Sequence, residues 1–176
     1  ASVSDDGRWL VITTAEGTDD RYEIHAVDLR ARGAKPKALI TRLDNNWSFI
    51  GNEGSRFFFM TNKDAPKLKV VAMEVGRPGN PVTTLVPERE ATLDGASIVG
   101  GKLIASYLAD AKSEISVHNL QGRKLTSVDL PGIGTVSGFS GDMDDAETFF
   151  SFTSFNRPTT IYRYDVKSGQ AAPWAA

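Results

Sequence analysis

Apolar residues along this chain fall in short, strand-length runs separated by polar and turn residues. Runs such as WLVITT (9–14), RFFFMTN (56–62), KLIASYL (102–108) and TFFSFT (148–153) are rich in β-branched and aromatic side chains, and Gly, Asp, Asn and Pro bound them. That texture predicts β-strands joined by tight turns. No window carries the 3.6-residue period of an amphipathic helix, so the chain reads as all-β.

The runs also recur at a fixed distance. YEIHAVDL (22–29), LKVVAMEV (68–75), SEISVHNL (113–120) and TTIYRYDV (159–166) each end in a polar residue followed by Leu or Val. Those polar residues are Asp28, Glu74, Asn119 and Asp165, with successive spacings of 46, 45 and 46. Four positions before them stand Ile24, Val70, Ile115 and Ile161, and a turn follows each: RARGAKP, GRPGNP, QGRK and KSGQ. Gly7, Gly54 and Gly101 form a second marker at spacings of 47, with Ala146 in the corresponding place of the fourth copy. Glycine suits such turns because it adopts positive φ without steric cost.

Each copy therefore holds about four short strands. The second reads NWSFIG, RFFFMTN, LKVVAMEV, VTTLVPE; the third ASIVG, KLIASYL, SEISVHNL, KLTSVDL; the fourth GTVSGFSG, TFFSFTSF, TTIYRYDV, APWA. The first copy is expected to lack its first strand and to begin at the SDDG turn. A period of 40 to 50 residues with four strands per period is the signature of a β-propeller. A β-sandwich lacks a fixed period, and leucine-rich solenoids repeat at shorter ones. The expected architecture is a β-propeller segment of about four consecutive four-stranded antiparallel blades, over residues 1–43, 44–89, 90–131 and 132–176. These are read as consecutive blades of a larger ring.

Composition narrows the function classes. The chain has 176 residues, 40% of them hydrophobic and 24% charged, with a net charge of −2. That balance supports a core and lacks the basic patch of a nucleic-acid binder. No apolar stretch approaches the roughly 20 residues of a membrane helix. The opening ASVSDDG carries no leader pattern, so a soluble protein is expected. There is no cysteine, which excludes disulfides, thiolate metal sites and cysteine nucleophiles.

Candidate chemistry is sparse. SGFSGD (137–142) has the wrong spacing for a hydrolase nucleophile elbow and no helix after it. His25 and His118 lie on the third strands of copies one and three, without a Cys or His partner nearby. GDMDDAE (141–147) lacks the central Gly and closing Glu of an EF-hand loop and falls at a repeat-phased turn. Asn46-Trp47-Ser48 matches a glycosylation sequon but lies at the start of an expected inner strand. Trp47 and Phe49 alternate onto one face and are read as core. No catalytic residue, cofactor site or metal site is expected. By its residues alone the chain is a binding or shape element.

Four stretches carry a resemblance: SDDGRWLVITTAEGTDD (4–20), NEGSRFFFMTNKDAP (52–66), VPEREATLDGASIVGGKLIASYLADAKSEISVHNL (86–120) and GFSGDMDDAETFFSFTSFNRPTTIYRYDV (138–166). In order, and over the whole chain, they resemble the propeller of the prolyl oligopeptidase (prolyl endopeptidase) family of serine peptidases. The TNxxAP and TSFxxPxxIY patterns are its specific marks.

The resemblance implies a seven-bladed propeller paired with an α/β-hydrolase domain of the same polypeptide, which holds the Ser-Asp-His triad and is absent from this chain. It implies cleavage of short proline-containing peptides after proline, with the propeller covering the active site and limiting substrate size. It further implies a monomeric parent in the cytoplasm or the bacterial periplasm, without nucleic acid or membrane as partner. The loop AEGTDD (15–20) matches the family loop that faces the internal cavity and helps shape a pocket for the substrate. Glu16 and Gly17 match the family text, whereas Ala15 and Thr18 stand where the animal enzymes carry Arg and Cys. Ala15 and Thr18 are therefore the candidate substrate-binding positions, and the pocket's shape and polarity do not carry over. The same loop also reads as a solvated hairpin turn. A non-catalytic interaction propeller and a relative cleaving after basic residues remain as alternatives.

Overall fold

The computed structural model describes residues 1–175. It contains sixteen strands and no helix among them. They are β1 (Ser2–Val3), β2 (Trp9–Thr14), β3 (Glu23–Asp28), β4 (Lys37–Ile40), β5 (Trp47–Glu53), β6 (Arg56–Thr61), β7 (Lys69–Glu74), β8 (Val82–Val86), β9 (Thr92–Val99), β10 (Lys102–Ala109), β11 (Lys112–His118), β12 (Lys124–Ser127), β13 (Thr135–Gly138), β14 (Glu147–Ser154), β15 (Arg157–Asp165) and β16 (Gln170–Ala175). Consecutive strands pair antiparallel into four four-stranded sheets, each a simple meander. The sheets fall into two compact units, the first ending at Pro87 and the second starting at Glu88.

One expectation is corrected. The first copy does not lack its first strand: β1 pairs with β2 through Ser2↔Val11 and Val3↔Leu10. Two residues cannot display a period, so no pattern marked this strand. β9 likewise starts four residues before the ASIVG run, because a bulge opposite Ser106/Tyr107 breaks the alternation over Leu93–Gly95.

The core of each unit follows from period-two alternation. In the first, β2 and β3 present Trp9, Val11, Ile24 and Ala26, and β5–β7 present Trp47, Phe49, Phe57, Phe59, Val71 and Met73. Two sheets thus meet face to face, each through every second residue. The aromatic rings meet edge-on: Trp9 with Phe57 at 5.1 Å, Phe49 with Phe57 at 5.3 Å and Trp47 with Phe59 at 5.7 Å between centroids. Trp47 and Phe49 are core, as their alternation indicates. In the second unit, Val99, Ile104, Ile115 and Val117 face Val136, Phe150, Phe152 and Tyr164.

The 46-residue marker has a local cause. Asp28 and Asp165 each end a third strand, Asn119 directly follows one, and all three cap the turn after it. Arg30 N–H donates to Asp28 Oδ1 (3.1 Å), Arg123 N–H to Asn119 Oδ1 (2.9 Å) and Ser168 N–H to Asp165 Oδ1 (2.6 Å). Glu74, one methylene longer, reaches sideways to Arg56 (3.4 Å), and Asn80 Oδ1 caps that turn instead. The Leu or Val that follows ties back to the first hairpin of its sheet: Leu29 N–H to Arg8 O (2.7 Å), Val75 N–H to Ser55 O (2.8 Å) and Val166 N–H to Ala146 O (3.0 Å). Gly7, Gly54 and Gly101 adopt φ of 68°, 59° and 72° at those hairpins.

The two Thr-x4-Pro phrases fold differently. After Thr61 the chain makes a seven-residue loop, Asn62–Leu68, with Pro66 inside it; after Thr153 it makes a two-residue hairpin, Phe155–Asn156, and Pro158 already belongs to β15. The repeat preserves strand spacing and varies the loops.

His118 is buried on β11. Its Nδ1–H donates to Gly122 O (3.2 Å), so Nε2 accepts from the Ser116 hydroxyl (2.9 Å). Burial pushes its pKa below 6.5, and Lys124 and Arg89 push the same way against the Gly122 bond. The folded chain therefore holds His118 neutral where the unfolded chain would protonate. The resulting stability is present above about pH 6.5 and is lost as pH falls below that value. Urea unfolding at pH 7 and pH 5 is expected to give a smaller pH dependence for His118→Gln than for the parent. An equal dependence would mean that His118 does not titrate differently on folding.

Candidate functional site

In a four-stranded meander the hairpin between second and third strands and the connection to the next sheet emerge at one end. In the first unit that end carries three irregular segments: 15–22 between β2 and β3, 41–46 between β4 and β5, and 62–68 between β6 and β7. The loop singled out in the sequence, Ala15 to Asp20, is the first of these.

This loop is braced from within. Asp19 N–H donates to Glu16 O (3.1 Å), closing a turn in which Gly17 has φ 60°. The Arg21 guanidinium forks onto both carboxylate oxygens of Asp19, and the Arg21 N–H adds a bond to Asp19 Oδ1 (2.8 Å). The Arg21 side chain and then its backbone N–H hold the Asp19 carboxyl well below its usual range, at about 2. A depressed carboxyl pKa stabilises the brace above about pH 4, and that contribution is lost as pH falls toward 2.

The loop is also anchored outward at its C-terminal side. Tyr22 N–H donates to Asn45 O (2.9 Å), and Asn46 Nδ2 donates to Asp20 O (3.1 Å). Asn46 carries further bonds. Its N–H donates to Asn62 Oδ1 (2.8 Å), its carbonyl accepts from Thr61 Oγ1 (2.6 Å) and its Oδ1 accepts from Ser48 Oγ (3.0 Å).

Ala15 directly follows β2 and Thr18 lies within the turn closed by Asp19 N–H to Glu16 O, and both are exposed. The structure thus places both candidate positions in one exposed loop. Sequence reasoning missed the residues that hold the loop in place: Asp19, Arg21, Asn45 and Asn46. The Asn-Asn doublet ahead of a strand was the available signal. The sequon reading obscured it, although the Asn46 amide nitrogen is already engaged.

The same end of the second unit is built differently. Its hairpins at 110–111 and 155–156 are two residues long, and they flank a groove of about 210 Å³ beside Ile133, Gly134, Thr153 and Phe155. Ile133 is 75% exposed and Phe155 110%.

Other sequence candidates are not brought together. His25 is half-buried on β3 and His118 buried on β11, in different units. Ser140 precedes an irregular segment and then strand β14, so no nucleophile elbow forms. Asp142, Asp144 and Asp145 place carboxylate oxygens within 4.8 Å of one another, but all three are exposed, and Asp145 Oδ2 already accepts the Asp142 N–H (2.7 Å).

Comparison with known proteins places this geometry. The family model for the prolyl oligopeptidase N-terminal β-propeller domain matches residues 1–176. A prolyl endopeptidase of Elizabethkingia meningoseptica is 29% identical over 172 residues, covering 97% of this chain and 24% of the relative. Prolyl oligopeptidase ophP of Omphalotus olearius is 32% identical over 167 residues, covering 90% and 22%. A solved structure from work on two prolyl endopeptidases and the role of their inter-domain dynamics in catalysis and specificity superposes with a TM-score of 0.92 at 36% identity, covering 99% of this chain and 26% of that one. Prolyl oligopeptidase B of Galerina marginata shares the fold, with a TM-score of 0.88 at 22% identity over 97% and 25%. The chain thus spans about a quarter of the length of the relatives it matches. With four repeat-phased, four-stranded sheets and a family match over its full length, the chain belongs to the prolyl oligopeptidase family, within its N-terminal β-propeller domain.

Proposed function

We propose that this chain is the substrate-filtering part of a serine endopeptidase that cleaves short peptides after proline. The observation that carries this reading is the family match over the whole chain, joined by relatives named prolyl endopeptidase at 29% and a prolyl endopeptidase structure at 36% identity. Each sheet is one blade, with boundaries near 1–43, 44–89, 90–131 and 132–176. The nucleophile and its base lie outside this chain, in an α/β-hydrolase domain of the same polypeptide, which is the propeller's working partner. The propeller acts by exclusion: cavity geometry admits short proline-containing peptides and rejects folded proteins. The 15–20 loop, with Ala15 and Thr18, faces the bound peptide. Ala15 contributes a methyl group and Thr18 a neutral hydroxyl, so this wall is small and uncharged. The parent acts in the cytoplasm or the bacterial periplasm; no helix among the described residues is long and apolar enough to cross a membrane.

The test is a peptidase assay on the full-length polypeptide. A short chromogenic peptide with proline before the scissile bond is expected to be cleaved, and a folded protein containing the same sequence is expected to survive. Cleavage of both would overturn the filtering role. Cleavage of neither by a folded preparation would favour a non-catalytic interaction propeller, and cleavage only after basic residues would place the protein with relatives of another specificity.

A further inference from the structure

We infer that Asn46 is a positioning residue for the substrate-facing loop, joining the 15–22 and 62–68 loops of the first unit into one element. The inference rests on the reading of Ala15 and Thr18 as peptide-facing.

Four observations carry it. The bonds of the 15–21 brace are internal, so they fix the loop's shape without fixing where it stands. Two bonds hold it against the strand-entry segment 45–46, Asp20 O to Asn46 Nδ2 and Tyr22 N–H to Asn45 O, and the Tyr22 side chain packs on the core beneath. The Asn46 side chain is itself held, because Ser48 Oγ donates to Oδ1 and thereby sets which way the amide faces. Its backbone is held from the other side, because Asn62 and Thr61, at the mouth of the 62–68 loop, bond its N–H and its carbonyl. Trp47, the next residue, is locked in the core. All four polar groups of Asn46 are therefore committed, and the pin sits on a rigid strand end.

The chemistry of the pin is directional. Asp20 offers a carbonyl oxygen, so the partner must donate. Asparagine donates from Nδ2 while accepting at Oδ1. Aspartate has nearly the same shape and still accepts from Ser48, but it turns an acceptor toward the Asp20 carbonyl. Asn46→Asp thus removes the pin and little else. A displaced loop weakens peptide binding in ground and transition state alike, which raises KM and leaves kcat unchanged.

The test uses the full-length polypeptide and Asn46→Asp, with two readouts. In native-state hydrogen exchange, the Tyr22 amide, bonded to Asn45 O beside the pin, is expected to lose about tenfold in protection, the factor of one net hydrogen bond, while the Asp19 and Arg21 amides, bonded within the brace, are expected to hold theirs. The Phe58 amide in β6 serves as the folding control and is expected to hold its protection. In the peptide assay, KM for the short proline substrate is expected to rise about threefold to tenfold at constant kcat. Unchanged exchange at Tyr22 would overturn the positioning role without reference to activity. Loosened exchange with unchanged KM would uphold the pin and overturn the peptide-facing reading of the loop. Asn46→Gln retains a donor at a longer reach and is expected to recover part of the protection; no recovery, with Phe58 still protected, would count against the hydrogen bond as the cause.

Discussion

Replacing Phe57 by alanine is expected to lower the unfolding free energy by about 3 to 5 kcal/mol. Phe57 is 0% exposed in the centre of β6. Its ring meets Trp9 from β2 at 5.1 Å and Phe49 from β5 at 5.3 Å, with Phe59 behind it at 6.4 Å. It therefore fills the space between the first two sheets, and its neighbours belong to strands that cannot shift independently. Trp9 is fixed by its indole N–H to Gly54 O (2.9 Å), and Trp47 by its position at the start of β5. A site held in this way collapses poorly around a deletion, so the upper half of the range applies. Denaturant unfolding of parent and variant measures the change. Phe155→Ala supplies the comparison: its ring is fully exposed on a hairpin, and the change is expected to stay within about 0.5 kcal/mol. Similar losses at both sites would mean that the first-unit core is not where the structure puts it.

The contrast between those two phenylalanines shows what the sequence reveals and what it hides. Both stand in apolar, aromatic stretches. Phe57 belongs to RFFFMTN, a strand-like run that recurs one period away, so its place on a strand was legible. Phe155 sits in TSFNRP, a phrase aligned with TNKDAP, and nothing in that alignment separates a seven-residue loop from a two-residue hairpin. Strand spacing is set by local alternation and turn caps such as Asp28 and Asp165, which act within a few residues of themselves. The loop at the candidate site is bonded to the rest of the unit through Asn46 Nδ2 and Asp20 O, 26 residues apart, and such a pairing leaves no periodic trace. Strand β1 was missed for another reason: two residues paired by their backbone need no particular side chains. The candidate positions Ala15 and Thr18 came from family likeness. The physical features of their loop, the Asp19–Arg21 fork and the Asn45–Asn46 anchor, came only from the structure.

Gly134→Ala is expected to destabilise the second unit by about 3 kcal/mol. A Cβ on Gly134 would lie 2.3 Å from the Thr153 carbonyl oxygen and 2.7 Å from Phe152 Cζ. The first contact is with backbone, so no rotamer change relieves it. Nor can residue 134 retreat the other way, because its own carbonyl accepts the Ser113 N–H (2.9 Å), and Ser113 Oγ accepts the Val136 N–H (2.9 Å). The chain therefore passes between β11 and β14 through a gap sized for a hydrogen atom, and these bonds tie the third sheet to the fourth. Gly95 in β9 is the matched control. A Cβ there meets nothing within 4 Å, and its φ is ordinary for an L-residue, so Gly95→Ala is expected to be neutral or to stabilise by up to about 1 kcal/mol through the unfolded state. Thermal melts of the two variants side by side separate the effects. A loss at Gly134 with none at Gly95 would identify the gap as the cause. Equal small changes at both would mean that β13 shifts away from β14 at little cost, and that the Ser113 bonds do not fix its distance.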